Sequence, residues 1–221
     1  MARGEAAAGA PEEAIVLHLL KILRRHGHEF VGIEETQSLL DQLARTQPAL
    51  VREVVPKVVA PARLAEILRR LAEEGISLRN LREILGALAD RAPADSDPVG
   101  LTEQVRASLR RPITFAHTGG SGVLPMYSLD PMIEDTLREA VQRDASGATL
   151  ALEPELSSDI VKAVGRAVVD NPAPVIVTAA DIRWHLRHLL ESEHREIAVL
   201  SYQEIEPDVK LESLGRITVA S

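Results

Sequence analysis

Two copies of one apolar pattern, on either side of a short link that contains Gly75, constrain this chain more than any other feature. From Val55 to Asp90 it reads VPKVVAPARLAEILRRLAEEGISLRNLREILGALAD. Leu64, Ile67, Leu68 and Leu71 fall at i, i+3, i+4 and i+7, and Leu81, Ile84, Leu85 and Leu88 repeat the spacing. That period places the apolar side chains on one stripe of a helix and the charged ones on the other side. Gly75 falls where the first helix must stop, and glycine takes the left-handed C-terminal conformation without a Cβ penalty. Ser77 is placed to cap the helix that follows. Two stripes joined by so short a link turn back on each other and share a core. The spacing therefore predicts a helical scaffold with Gly75 at the boundary between its two stripes, and none of these residues is a catalytic group.

The chain has 221 residues, enough for one or two domains with real cores. Aromatic residues are few (Phe30, Phe115, Tyr127, Trp184 and Tyr202), so the core must be aliphatic and no platform for stacking bases is expected. The formal net charge of −8 would repel nucleic acid and anionic membranes. With no cysteine there is no disulfide framework, thiolate metal site or cysteine nucleophile. No apolar run is long enough to cross a bilayer, and residues 1–10 read as a flexible leader without a signal-peptide core.

Around the central pair the pattern predicts helices over 11–25, 34–43 and 48–55. Asp97–Pro98 is read as an N-cap and first helical residue, opening a helix that runs to Arg111, where Pro112 stops it. In that helix Leu101, Val105 and Leu109 face inward, and Arg106, Arg110 and Arg111 face solvent. Two short strands, Ile113–Ala116 and Val123–Leu129, are expected around a glycine-rich hairpin tip, with Pro125 making its strand an edge. Asp130–Pro131 starts another helix, carrying Ile133, Leu137 and Val141. A further helix spans 154–169. Pro174–Thr178 and Ile197–Ser201 are continuous apolar runs, as in strands covered on both faces, and the helix 181–192 between them completes a βαβ unit. Two last strands, 209–214 and 216–220, close the chain. The expected fold class is α+β and predominantly helical, with a small C-terminal α/β unit.

The candidates for chemistry each lack a part. Gly119-x-Ser121 has no second glycine for a nucleophile elbow, and no lysine or helix follows for a P-loop. Asp95-x-Asp97 is better read as the helix cap than as a metal site. His18, His185, His188 and His194 have no further ligands at zinc spacing and are read as satisfied or exposed histidines. Glu34–Glu35 is a solvated first turn rather than an acid/base pair. The loop Thr178–Asp181 has no glycine to admit a pyrophosphate. No enzyme activity, metal or cofactor is expected.

Five stretches together resemble the cytoplasmic domain of the export-gate protein of type III secretion systems and bacterial flagella, the SctV/FlhA family. They are GxEExQxLLDxL (Gly32 to Leu43), LVxExVPxVV (Leu50 to Val59), the run Leu64 to Asp90, DPxxLTxxVR (Asp97 to Arg106) and VLSYQEIEPDVKLESLGRI (Val199 to Ile217). The resemblance implies that 11–55 is the second cytoplasmic subdomain and 56–75 the returning part of the first. It makes 76–152 the third, with helices plus the hairpin, and 153–221 an α/β fourth. It also implies a homo-oligomeric ring, typically nonameric, on the cytoplasmic side of the bacterial inner membrane, with a membrane half absent from this sequence. The partners implied are secretion chaperone–substrate complexes, a gatekeeper protein and other export-apparatus components. If the chain is such an export platform, Gly75 is its hinge candidate.

In the flagellar branch an apolar dimple receives chaperones. The phenylalanine and threonine of that motif correspond here to Val31, just before Gly32, and to Ala62, while Phe30 lies adjacent. Phe30, Val31, Gly32 and Ala62 are therefore the partner-binding candidates, and the two departures favour the virulence branch. Two other readings are open on the residues alone. One is a stand-alone helical regulatory protein, suggested by the paired helices around Gly75, which the acidity of the chain opposes. The other is a hydrolase using Ser121 or the histidines, which lacks the second glycine, a base and further metal ligands.

Overall fold

The computed structural model describes residues 15–16, 18–19, 22–23, 26–91, 97–144 and 147–219. The leader, the start of the first helix and Asp95 lie outside them. Ile15, Val16, Leu19, Ile22 and Leu23 are helical, and this apolar stripe is exposed. A 3-10 turn at Gly27–Phe30 leads into α1 (Ile33–Ala44), α2 (Pro48–Val54), α3 (Pro61–Glu73) and α4 (Leu81–Arg91). Beyond them come α5 (Pro98–Ser108), α6 (Arg110–Thr118), β1 (Val123–Leu129), α7 (Pro131–Ala140) and a β2–β3 ribbon (Val141–Asp144, Gly147–Leu150). The chain ends with α8 (Pro154–Val168), β4 (Val175–Thr178), α9 (Ala180–Leu190), β5 (Ala198–Ser201) and β6 (Lys210–Ile217).

The central stretch folds as its pattern requires. Leu64, Ile67, Leu68 and Leu71 of α3 and Leu81, Ile84, Leu85 and Leu88 of α4 are buried in one core. Gly75 has φ +73°, its N–H donates to Ala72 O at 3.0 Å and that of Ile76 to Leu71 O at 2.9 Å. These bonds close the last turn of α3 and satisfy carbonyls that the helix leaves free. A Cβ at Gly75 would meet nothing within 4 Å, so the need for glycine is conformational rather than steric. Gly75→Val is expected to lower stability by about 1–2 kcal/mol and to tilt α4 against α3. A urea midpoint and a solution-scattering profile both equal to wild type would show rigid packing with no hinge.

Strands β5, β4, β1 and β6, in that order, form one fully parallel sheet. Val175, Val177 and Leu200 face the core of α3, α4 and α5, whereas Ile176 and Val199 face a second core built on α7, α8 and α9. Apolar residues on both faces are the physical reason these strands read as continuous runs. The expected division at Glu153 runs through this sheet, because β1 precedes it and the other three strands follow it.

Several local readings are overturned. Residues 113–116 are helical, within α6, so there is no hairpin at 117–122. Pro112 sits in the first turn of α6, where its missing N–H has no helical acceptor to serve, so it begins a helix instead of ending one. β1 is a central strand despite Pro125. β4 pairs only with Tyr127 and Ser128, so the proline lies beyond that ladder. Val141 opens β2 rather than continuing α7. Residues 210–217 form one strand, with an irregularity where Met126 pairs with Ser213 but Tyr127 with Gly215. A bulge keeps a strand paired through an extra residue, which here is Leu214.

Candidate functional site

The four partner-binding candidates have different surroundings. Phe30 ends the 3-10 turn with its ring 68% exposed, and Ile33 beside it is 56% exposed. Val31 is buried in the core, so its side chain offers nothing to a partner. Its carbonyl accepts from Arg69 Nε at 3.2 Å, which ties the turn to α3. Gly32 is the N-cap of α1 and its N–H donates to Glu35 Oε2 at 3.0 Å. Ala62 is exposed on the first turn of α3, roughly 10 Å along the axis from Arg69. The apolar surface at this place is therefore Phe30 with Ile33, and Arg69 rather than Ala62 is the α3 residue that holds it.

On its far end α3 faces α9 across a cleft of ≈310 Å³. The Trp184 ring of α9 has the guanidinium of Arg70 of α3 over it, 5.5 Å from the centroid, and the His188 ring stacked on it at 5.1 Å. Such contacts join a cation, an aromatic face and a second ring without needing a dry core. Glu73 and Glu191 meet at the mouth. Burial, and then the neighbouring Glu191 charge, pushes the Glu73 carboxyl above its usual range. The cleft continues past Gly75 into a groove of ≈1410 Å³ that reaches Ile113 and His117 of α6.

At the back of the cleft five charged side chains cluster: Arg106, Arg183 and Glu204 are buried, and Glu74 and Glu103 are nearly so, at 12% and 16% side-chain exposure. Arg183 of α9 donates to Glu74 from Nη1 (2.6 Å) and Nη2 (2.9 Å), and to Glu103 of α5 from Nε (2.6 Å) and Nη2 (2.5 Å). Its Nη1 also donates to Val199 O at 3.1 Å. Arg106 of α5 lies 3.1 Å from Glu74 and donates to Glu204 at 2.7 Å. Glu204 accepts in turn from the Ser201 hydroxyl at 3.0 Å.

Burial opposes the charge on Glu74, Glu103 and Arg183, and the neighbouring charges decide whether it wins. Glu74 is beside two guanidiniums, Arg106 and Arg183, and its carboxyl falls to about 2. For Glu103 burial wins over the hydrogen-bonded Arg183 and the nearby Arg106, with the Glu204 charge on its side, so its carboxyl is raised. Burial works against the Arg183 charge too, but Glu74 and Glu103 outweigh it and hold its pKa above the usual arginine value.

The sequence reading missed this cluster. Arg106, expected at the surface with Arg110 and Arg111, is 2% exposed, and His185 is 4% exposed rather than at the surface. The available signal was spacing: Arg106 follows Thr102 by one turn on the face that also carries Leu101 and Val105. Among the described residues no group of histidines and carboxylates could hold a metal ion, and no helix is long and apolar enough to cross a membrane.

The model of the FHIPEP family matches residues 2–210. The low calcium response locus protein D of Yersinia pestis is 37% identical over 209 residues, covering 93% of this chain and 30% of that protein. The structure of the Chlamydia pneumoniae CdsV protein superposes with a TM-score of 0.90 at 39% identity, covering 95% of this chain and 61% of that one. The cryo-EM structure of nonameric EPEC SctV-C gives 0.84 at 32% identity, over 92% of this chain and 62% of that one. The chain thus spans about a third of the curated relative and about three fifths of the solved ones.

Proposed function

The chain belongs to the FHIPEP family, and from that premise we propose that it is part of the cytoplasmic platform of a bacterial type III protein export gate. The platform assembles as a homo-oligomeric ring, nonameric as in the EPEC protein, on the cytoplasmic side of the inner membrane. It docks secretion chaperone–substrate and gatekeeper complexes. The observation that carries this reading is the likeness to the nonameric SctV-C over nearly the whole chain. The division into a second subdomain, a returning part of the first, a third and a fourth belongs to the same reading, as does Gly75 as the hinge between the first and third. The work is binding and assembly without chemistry of its own. Ser121 fits that account, because its hydroxyl is engaged with Val123 O at 3.0 Å in the turn before β1.

Phe30 is the side chain we assign to docking, with Ile33 beside it. An aromatic anchor is the kind of residue that dominates a protein interface. Phe30→Ala is expected to change stability by less than about 0.5 kcal/mol, since the ring is already in water. It should weaken binding of chaperone–substrate complexes by roughly tenfold or more, which is about 1.4 kcal/mol. Titration of purified complexes against wild type and variant measures this. Equal affinities at equal melting temperature would remove Phe30 from the docking surface.

A further inference from the structure

Arg183 uses all five of its N–H donors: one from Nε to Glu103, two from Nη1 to Glu74 and Val199 O, and two from Nη2 to Glu74 and Glu103. No other side chain but arginine has a planar fork that can satisfy two carboxylates and a carbonyl at once. The three acceptors belong to the end of α3, to α5 and to β5. We propose that the Arg183 cluster is a latch that fixes the opening of the cleft between α3 and α9, and that releasing it lets α3 swing about Gly75.

The position of Glu74 supports this. It is the last residue before Gly75, so the latch grips α3 at the point where the chain has its left-handed link. A swing of α3 would carry the Phe30 turn with it, through Arg69. The composition of the cluster supports it too. Three carboxyls (Glu74, Glu103 and Glu204) share two guanidiniums (Arg106 and Arg183), so no member is held by a single simple pair. A buried ionic group of this kind adds little net stability over an apolar filling, and its return is a unique geometry. The inference goes beyond the export reading and is tested without any partner, so either can fail alone.

Trp184, the one tryptophan of the chain, reports on the cleft because Arg70 of α3 covers it. Arg183→Lys keeps the charge and loses the fork. A triple variant, Glu74→Met, Glu103→Leu and Arg183→Met, removes the latch and leaves Arg106 balanced by Glu204. In both, acrylamide quenching of Trp184 should rise about twofold or more. The distance distribution between spin labels at Ala62→Cys and Glu193→Cys should broaden, with cooperative unfolding and helix content retained. Wild-type quenching and distances in either folded variant would overturn the latch, since apolar contact would then hold the cleft. If Arg183→Lys does not fold, the triple variant decides. If neither folds, the cluster is a requirement of folding rather than a separable latch, and the proposal fails.

Discussion

Leu68→Ala should cost roughly 2–5 kcal/mol in unfolding free energy. Leu68 is 0% exposed in the middle of the α3 stripe, within the core that α3, α4 and α5 share with one face of the sheet. Removing three carbon atoms there loses their transfer free energy and leaves a cavity whose walls belong to several helices and cannot all collapse inward. The variant should keep native helix content and solution shape and unfold at a lower urea midpoint with an unchanged slope. Gly75→Val differs in kind, because it strains the link and alters geometry more than packing. A loss below about 1 kcal/mol for Leu68→Ala would mean that the site collapses around the smaller side chain.

Glu74→Gln should be similarly large at neutral pH, about 3 kcal/mol. An amide presents an NH2 group where Glu74 now accepts from both sides of the Arg183 fork and faces Arg106. Breaking a buried ion pair from one side costs on this order. The fall of the Glu74 carboxyl from 4.5 to about 2 gives a matching figure, on the order of 3 kcal/mol by linkage. The sign follows from the direction. A carboxyl depressed in the folded state contributes its full stability above its unfolded value of about 4.5 and loses it as pH falls toward 2. Glu103 acts oppositely, because its raised carboxyl contributes at low pH and loses that contribution as pH rises through its folded value. It therefore offsets part of the acid loss in both proteins. Urea midpoints of wild type and Glu74→Gln should be well separated at pH 7 and converge as pH approaches 2. A separation independent of pH would show that the Glu74 charge is not what the variant removes.

Where a reading rested on a short apolar run, the structure changed it. Ile113–Ala116 suits a strand or a helix turn equally over four residues, and periodicity cannot separate the two at that length. Pro125 marks an edge only when the neighbouring strand reaches it, and β4 stops short. Val31 and Phe30 were legible as an apolar pair, but not which of them is exposed. That depends on α3, which Arg69 holds against the turn from 38 residues away.

The sequence by itself determined the parts whose physics is local. The stripes of α3 and α4, the left-handed Gly75, and the Asp97 and Asp130 side chains accepting from Gly100 and Met132 all stand as the spacing predicts. So does the β4–α9–β5 unit, because a run apolar on both faces needs cover on both faces. The order of the five motif stretches was enough to identify the family. Only the tertiary structure decided which charged residues are buried. Arg183 and Glu74 are 109 residues apart and Arg106 and Glu204 are 98 apart. A charged residue at the margin of an apolar stripe looks the same in sequence whether it meets water or a partner. The free energy that allows Arg106 and Arg183 to leave water resides in carboxylates supplied by other elements, and no local pattern records that they will arrive.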